Sequence, residues 1–176
     1  MQDFYEPKVG DVAADFRLPS TRGKDVTLNE FHGKDVILYF YPKDDTPGCT
    51  TEACAFRDHE GDLTKAGAVI LGVSTDPLES HEKFKNKYKL NFPLLSDQTA
   101  DVAKMYGVWK EKNMYGRRSW GVARTTYWIG ADSRIRKIYK KVDTAKHADE
   151  ILADMRAAYA TDVYGVVAVT SALSGC

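Results

Sequence analysis

Two cysteines five positions apart, Cys49 and Cys54, are the residues whose type and spacing most favour chemistry in this chain. A thiolate is a strong nucleophile, and in a reducing compartment a close cysteine pair is more often catalytic or metal-binding than structural. The chain holds three cysteines in all, and the third is Cys176. Three are too few for a disulfide scaffold or a four-thiolate zinc site, so nucleophilic or redox chemistry is the leading interpretation.

Other uses of these thiols are open at this point. A thiol–disulfide oxidoreductase would carry Cys-x-x-Cys, but position 52 is Glu. A Cys–His hydrolase would need a histidine beside Cys49 in the folded chain. A redox sensor without turnover would need only the reactive thiol itself. A metal site is disfavoured, because the histidines do not fall at ligand spacing; they are His32, His59, His81 and His147.

The elements around Cys49 are suited to making a thiolate. Residues 35–41 are continuously apolar and rich in β-branched and aromatic side chains, which predicts a central strand buried on both faces. A polar loop follows over 43–48, and a helical pattern then runs from Cys49 to Lys65. The N-terminus of a helix offers free N–H donors and a partial positive charge, and both stabilise a thiolate.

The rest of the chain alternates strands and helices. A hairpin is predicted within 15–31, strands over 68–74, 92–96, 125–129 and 135–140, and helices after Asp76-Pro77, over 102–106 and over 146–159. The polar, basic segment 110–121 contains glycine and is predicted to be a loop. This order predicts an α/β protein whose sheet is closed by a hairpin.

The spacing Pro42-x-x-x-Thr46-x-x-Cys49 resembles the peroxiredoxins, and the longer string around it is similar to their Q-type subgroup, also called bacterioferritin comigratory protein. The resemblance extends from about Lys8 to Tyr159. It implies a thioredoxin-like fold, with a central mixed sheet flanked by helices and an N-terminal β-hairpin. It also implies reduction of hydrogen peroxide and organic hydroperoxides, recycling by thioredoxin or a similar dithiol, and no cofactor or metal.

The resemblance gives each residue a role. Cys49 is the peroxidatic cysteine and Cys54 the resolving one; Thr46 hydrogen-bonds the thiolate and the peroxide, Pro42 shields the thiolate from water, and Arg124 stabilises negative charge. Each also has a plainer use. Cys54 could pack in the core, Thr46 could cap the helix, Pro42 could end the strand, and Arg124 could be a solvated surface charge.

Composition limits the remaining possibilities. The chain has 176 residues, 43% of them hydrophobic, with Lys plus Arg equal to Asp plus Glu, so it is expected to form one soluble domain without a nucleic-acid or membrane partner. The N-terminus lacks a secretory pattern, and a cytoplasmic, monomeric protein is expected. We expect the domain to cover 1–160 and residues 161–176 to be an extension outside the resemblance, forming a packed strand or a partner surface.

Overall fold

The structure is a computed structural model that describes the backbone of residues 5–173 and the side chains of residues 5–160. The strands are β1 (Arg17–Leu18), β2 (Val26–Thr27), β3 (Asp35–Phe40), β4 (Ala68–Ser74), β5 (Leu94–Ser96), β6 (Trp109–Met114), β7 (Arg117–Val122), β8 (Thr125–Ile129) and β9 (Ile135–Tyr139). The helices are α1 (Pro47–Lys65), α2 (Leu78–Tyr88), α3 (Asp101–Met105) and α4 (His147–Leu173), and a 3-10 helix spans Leu28–Phe31.

Five strands form a mixed central sheet in the order β5-β4-β3-β8-β9. β3 lies in the middle, parallel to β4 and antiparallel to β8, and the β8–β9 hairpin closes one side. All six residues of β3 are buried, which explains its continuous apolar sequence. The predicted α/β class and the closing hairpin are therefore confirmed, as is the small hairpin of β1 and β2 ahead of the sheet.

Alternate residues of β3 point to two different cores. Val36, Leu38 and Phe40 pack against the N-terminal segment and α3. Ile37 and Tyr39 point to the opposite face, where α1, α2 and α4 cover the sheet. This second core includes Cys49 itself, so its thiol lies where a helix meets the buried face of the sheet.

The expectation of a loop over 110–121 is wrong. This segment is an antiparallel hairpin of β6 and β7, joined by Tyr115 and Gly116, whose φ angles of 55° and 78° are typical of a type I′ turn. Nearly every side chain of both strands is at least partly exposed, so the sequence lacks the apolar alternation that marks a half-buried strand. The two strands pair tightly, but because neither buries a face against the core, their sequence is as polar as that of a loop.

The last helix is longer than expected. α4 begins at His147, close to the predicted start, and continues to Leu173 instead of ending at Tyr159. Its backbone is helical beyond residue 160, not the packed strand considered from the sequence. Cys176 lies outside the described residues, and the domain boundary near residue 160 stays a prediction. Within residues 5–173, no helix is both long and apolar enough to cross a membrane.

Candidate active site

Cys49 is held at the junction between the central strand and the first long helix. β3 ends at Phe40, a short loop follows, and α1 begins at Pro47, so Cys49 is the third helical residue. Proline suits the first helical position, where no backbone N–H is needed. Cys49 is only 2% exposed. The thiol is therefore buried within the first turn, where unpaired backbone N–H groups favour negative charge.

Arg124 lies between β7 and β8, and its side chain contacts the thiol in the first turn of α1. Its Nη2 donates a hydrogen bond to Cys49 Sγ at 3.3 Å, and its Nη1 donates to Glu52 Oε1 at 2.7 Å. Gly48 makes room for this contact, because a Cβ there would lie 3.2 Å from Nη2. The fold thus brings a fixed cation onto the Cys49 sulfur.

Glu52 is a site residue that the sequence analysis missed. Its side chain is fully buried, it forms an ion pair with Arg124, and its Oε2 has no hydrogen-bond partner among the described residues. Burial raises the pKa of Glu52 to about 7, although the Arg124 guanidinium acts in the opposite direction. The spacing in the sequence could have identified Glu52. Residues three apart on a helix lie on the same face, so Glu52 lies on the face of α1 on which Cys49 contacts Arg124.

Thr46 and Pro42 lie in the loop between β3 and α1. The Thr46 hydroxyl donates to the carbonyl of Lys43 at 2.8 Å and makes no side-chain cap bond to α1. The expected contact of Thr46 with the thiolate and the peroxide is absent from this arrangement and stays a prediction for the substrate complex. Pro42 is half-buried directly after the end of β3. Its shielding role also stays a prediction.

The structure does not bring Cys49 and Cys54 together. Both are free thiols on the same unbroken helix, Cys49 buried and Cys54 half-buried. Five residues of ideal helix rise about 7.5 Å, which puts the two Cα atoms about 8–9 Å apart. A disulfide rarely spans more than about 7 Å between Cα atoms. The helical state therefore excludes a Cys49–Cys54 bond.

A buried polar cluster holds the loop that precedes α1. Asp44 accepts hydrogen bonds from the Tyr41 hydroxyl at 2.6 Å and from Ser80 at 2.8 Å, and its Oδ2 lies 2.7 Å from His81 Nδ1. His81 Nε2 faces the carbonyl of Leu95 at 2.9 Å, so Nε2 carries a proton. Asp44 thus ties the loop both to the end of β3 and to α2.

The same cluster is where metal-ligand side chains gather within the described part of the chain: Asp44, Asp76 and His81. Its polar atoms are already used in hydrogen bonds, since Asp76 Oδ2 accepts from the Asp44 backbone N–H and from Ser74. We therefore interpret it as a structural brace. Across residues 5–160, no histidine hydrogen-bonds to Cys49, which removes the support for a Cys–His hydrolase.

Comparisons with known proteins identify the relatives of this chain. Residues 9–138 match the AhpC/TSA family. A putative peroxiredoxin Bcp of Coxiella burnetii is 47% identical over 145 residues, which cover 82% of this chain and 96% of the relative. The peroxiredoxin Bcp of Escherichia coli K12 is 43% identical over 145 residues, covering 82% and 93%.

Solved structures give the same result at the level of the fold. A peroxiredoxin Q of Xanthomonas campestris superposes with a TM-score of 0.79 at 39% identity, covering 86% of this chain and 96% of the other. A peroxiredoxin Q variant of Xylella fastidiosa superposes with a TM-score of 0.83 at 34% identity, covering 88% and 99%. The expected thioredoxin-like fold is confirmed.

Proposed function

Because the chain belongs to the AhpC/TSA family and to its peroxiredoxin Q or Bcp branch, whose members are peroxidases, we propose that it reduces hydroperoxides. We propose Cys49 as the peroxidatic nucleophile. The observation that carries the proposal is the hydrogen bond from Arg124 to the Cys49 sulfur. A guanidinium in that place stabilises the thiolate and the negative charge that develops as the peroxide bond breaks.

The proposed first step needs no cofactor. The Cys49 thiolate attacks one oxygen of the hydroperoxide, a sulfur–oxygen bond forms, and the oxygen–oxygen bond breaks with its electron pair leaving on the other oxygen. Sulfur is oxidised by two electrons to a sulfenic acid, and the peroxide is reduced to an alcohol or water. We propose hydrogen peroxide and organic hydroperoxides as substrates. A bacterioferritin comigratory protein of Xanthomonas campestris has been studied for its alkyl peroxide reduction activity.

The proposed second step uses Cys54. Its thiol condenses with the sulfenic acid to give a Cys49–Cys54 disulfide and water, which requires the first turns of α1 to unwind. Thioredoxin or a similar dithiol then reduces that disulfide by exchange.

We further propose that the protein works as a cytosolic monomer. A mass near 19.7 kDa in light scattering would agree with a monomer, and a mass twice as large would contradict it.

The test is hydroperoxide turnover with thioredoxin and thioredoxin reductase, measured for the wild type, Cys49→Ser and Cys54→Ser. The serine hydroxyl hardly ionises at neutral pH, so Cys49→Ser should lose turnover while keeping its fold. Cys54→Ser should still consume one equivalent of peroxide and then stall. Full turnover by Cys49→Ser would refute the proposal.

Two alternatives give different results in the same assay. A thiol–disulfide oxidoreductase would reduce a protein disulfide faster than a hydroperoxide. A redox sensor would be oxidised once per molecule, without sustained turnover in the presence of thioredoxin. Sustained peroxide consumption by the wild type therefore separates the proposed enzyme from both.

A further inference from the structure

Lys112 lies on the β6–β7 hairpin, and its side chain extends towards the segment that leads into Arg124. It stands opposite Ser119 in the hairpin register, so Gly121 is its diagonal neighbour on the same face. A Cβ at Gly121 would lie 3.4 Å from Cδ, Cε and Nζ of Lys112, so the lysine side chain extends directly over this glycine. Its Nζ donates to the carbonyl of Val122 at 2.7 Å.

This course brings the ammonium to the backbone segment that leads into Arg124. Val122 precedes Arg124 by two residues, so Lys112 is tethered to the segment that carries the active-site guanidinium. Partial burial and the charge of Arg124 lower the pKa of Lys112, and the charge of Cys49 raises it. The chain of contacts from Lys112 to Val122, and from Arg124 two residues on to the Cys49 sulfur, agrees with these influences on the lysine.

An ammonium has three hydrogen-bond donors, and one of them is used by the Val122 carbonyl. The other two have no hydrogen-bond partner among residues 5–160. Arg124, by contrast, is always protonated and divides its guanidinium between Cys49 and Glu52. Of the two cations at the site, Lys112 is the one that can give up a proton.

We propose that Lys112 is the general acid of the peroxidase reaction and protonates the oxygen that leaves when Cys49 attacks the hydroperoxide. The proposal rests on the proposed function of Cys49. As the oxygen–oxygen bond breaks, its electron pair moves to the leaving oxygen, and that oxygen takes a proton from the Lys112 ammonium. The sulfenic acid keeps the hydrogen of the hydroperoxide, an alcohol or water departs, and the Lys112 amine regains a proton from solvent.

The chemistry calls for such a donor. The leaving group from hydrogen peroxide is hydroxide, whose conjugate acid has a pKa of about 15.7, and an alkoxide is of comparable basicity. Protonating so poor a leaving group during bond cleavage contributes about 10²–10⁴-fold in general acid catalysis. A percarboxylic acid differs, because it releases a carboxylate, which leaves readily without a proton. The role of Lys112 should therefore depend on the leaving group.

The test compares single-turnover oxidation of Cys49 by hydrogen peroxide, tert-butyl hydroperoxide and peracetic acid. Lys112→Met should slow the first two by about 10²-fold or more and leave the rate with peracetic acid within about threefold. Lys112→Gln retains an N–H donor for the Val122 carbonyl and should show the same selective loss. Lys110→Met removes an exposed charge on the same face of β6 and should leave all three rates unchanged.

Two readouts keep the outcome decisive. The pH dependence of Cys49 thiolate absorbance reports any change in the electrostatics of the thiol, and thermal unfolding reports any change in the fold. Equal losses with all three oxidants, or no loss, would overturn the proposal and leave Lys112 as a tether for the Arg124 segment. A wild type that fails to react through Cys49 would instead refute the proposed function.

Discussion

Arg124 is the residue on which the geometry of the site depends. Its two terminal nitrogens point to different partners, Cys49 and Glu52, which lie three residues apart on α1. A planar guanidinium can make both bonds at once in a fixed orientation, whereas the ammonium of lysine is a compact point charge whose donors rotate. The positive charge of Arg124 and the planar shape of its guanidinium therefore contribute separately to holding the cation against the sulfur.

Substituting Arg124 with Lys should separate them. We expect the positive charge to persist but one of the two hydrogen bonds to be lost, so that the cation no longer stays against the sulfur. Removal of one preorganised donor from a developing negative charge costs about 10²–10³-fold in rate, and we expect a loss of this size in Cys49 oxidation by hydrogen peroxide. Arg117→Lys is the matched control on the exposed hairpin. Equal rates for Arg124→Lys and the wild type would show that charge alone suffices.

At the scale of elements, α1 is held much more firmly after its second turn than before it. Phe56 is fully buried and stacks on Tyr39 with ring centroids 4.6 Å apart. Arg57 Nη1 then donates to the carbonyl of Tyr88 at 2.6 Å, and His59 forms an ion pair with Asp149. Before Phe56, the polar ties from the helix side chains to the rest of the described protein both come from Arg124, which bonds to Cys49 Sγ and to Glu52.

This difference predicts where the helix opens when the disulfide forms. We expect residues 47–55 to unwind in oxidised protein and the helix to persist from Phe56, because opening further would expose a buried aromatic ring at a cost of about 3–5 kcal/mol, comparable to removing it. Amide hydrogen exchange of reduced and peroxide-treated protein measures this directly. Faster exchange should be confined to the first two turns, with Cys49 and Cys54 linked by peptide mapping. Full protection over 47–55 in the disulfide form would contradict it.

The sequence predicted those elements whose pattern comes from burial. The continuous apolar run of β3 and the start of α1 near Cys49 were readable because burial and helix chemistry leave local signatures. The β6–β7 hairpin was missed because it has no buried face, and with it Lys112 was missed as a neighbour of the site. Glu52 was also missed, because its partner Arg124 lies 72 residues away and only the fold brings them together.

For the molecule as a whole, two buried groups on the same side of the sheet have pKa values that are shifted in opposite directions. Burial raises the pKa of Glu52 from 4.5 to about 7, and burial together with the charge of Arg124 lowers the pKa of His147 from 6.5 to about 4. The His147 ring is fully buried; its Nε2 contacts the Thr126 hydroxyl at 2.8 Å, and its Nδ1 has no hydrogen bond among the described residues. Both groups are therefore neutral over a wider pH range in the folded protein than in the unfolded chain, and Glu52 pairs with Arg124 as a carboxylate above about pH 7.

The two shifts should oppose each other in the pH dependence of stability. Between pH 4.5 and 7 the folded protein keeps a proton on Glu52 that the unfolded chain loses, so this group destabilises the fold as the pH rises. Between pH 6.5 and 4 the unfolded chain gains a proton on His147 that the folded protein refuses, so this group destabilises the fold as the pH falls. In the overlapping window from pH 4.5 to 6.5 the two contributions therefore have opposite signs.

Single substitutions should expose each half of this balance. The free energy of unfolding of Glu52→Gln, relative to the wild type, should rise by on the order of 3 kcal/mol from pH 4.5 to 7, because the glutamine cannot ionise. The free energy of unfolding of His147→Gln should instead rise relative to the wild type as the pH falls from 6.5 to 4, by a similar amount. Urea denaturation at a series of pH values gives both curves, and exposed Glu111→Gln is the control for a carboxylate without burial. Curves for Glu52→Gln and His147→Gln that run parallel to that of the wild type would mean that neither group is held neutral by the fold, and curves of opposite slope would show that the fold raises the pKa of Glu52 and lowers that of His147.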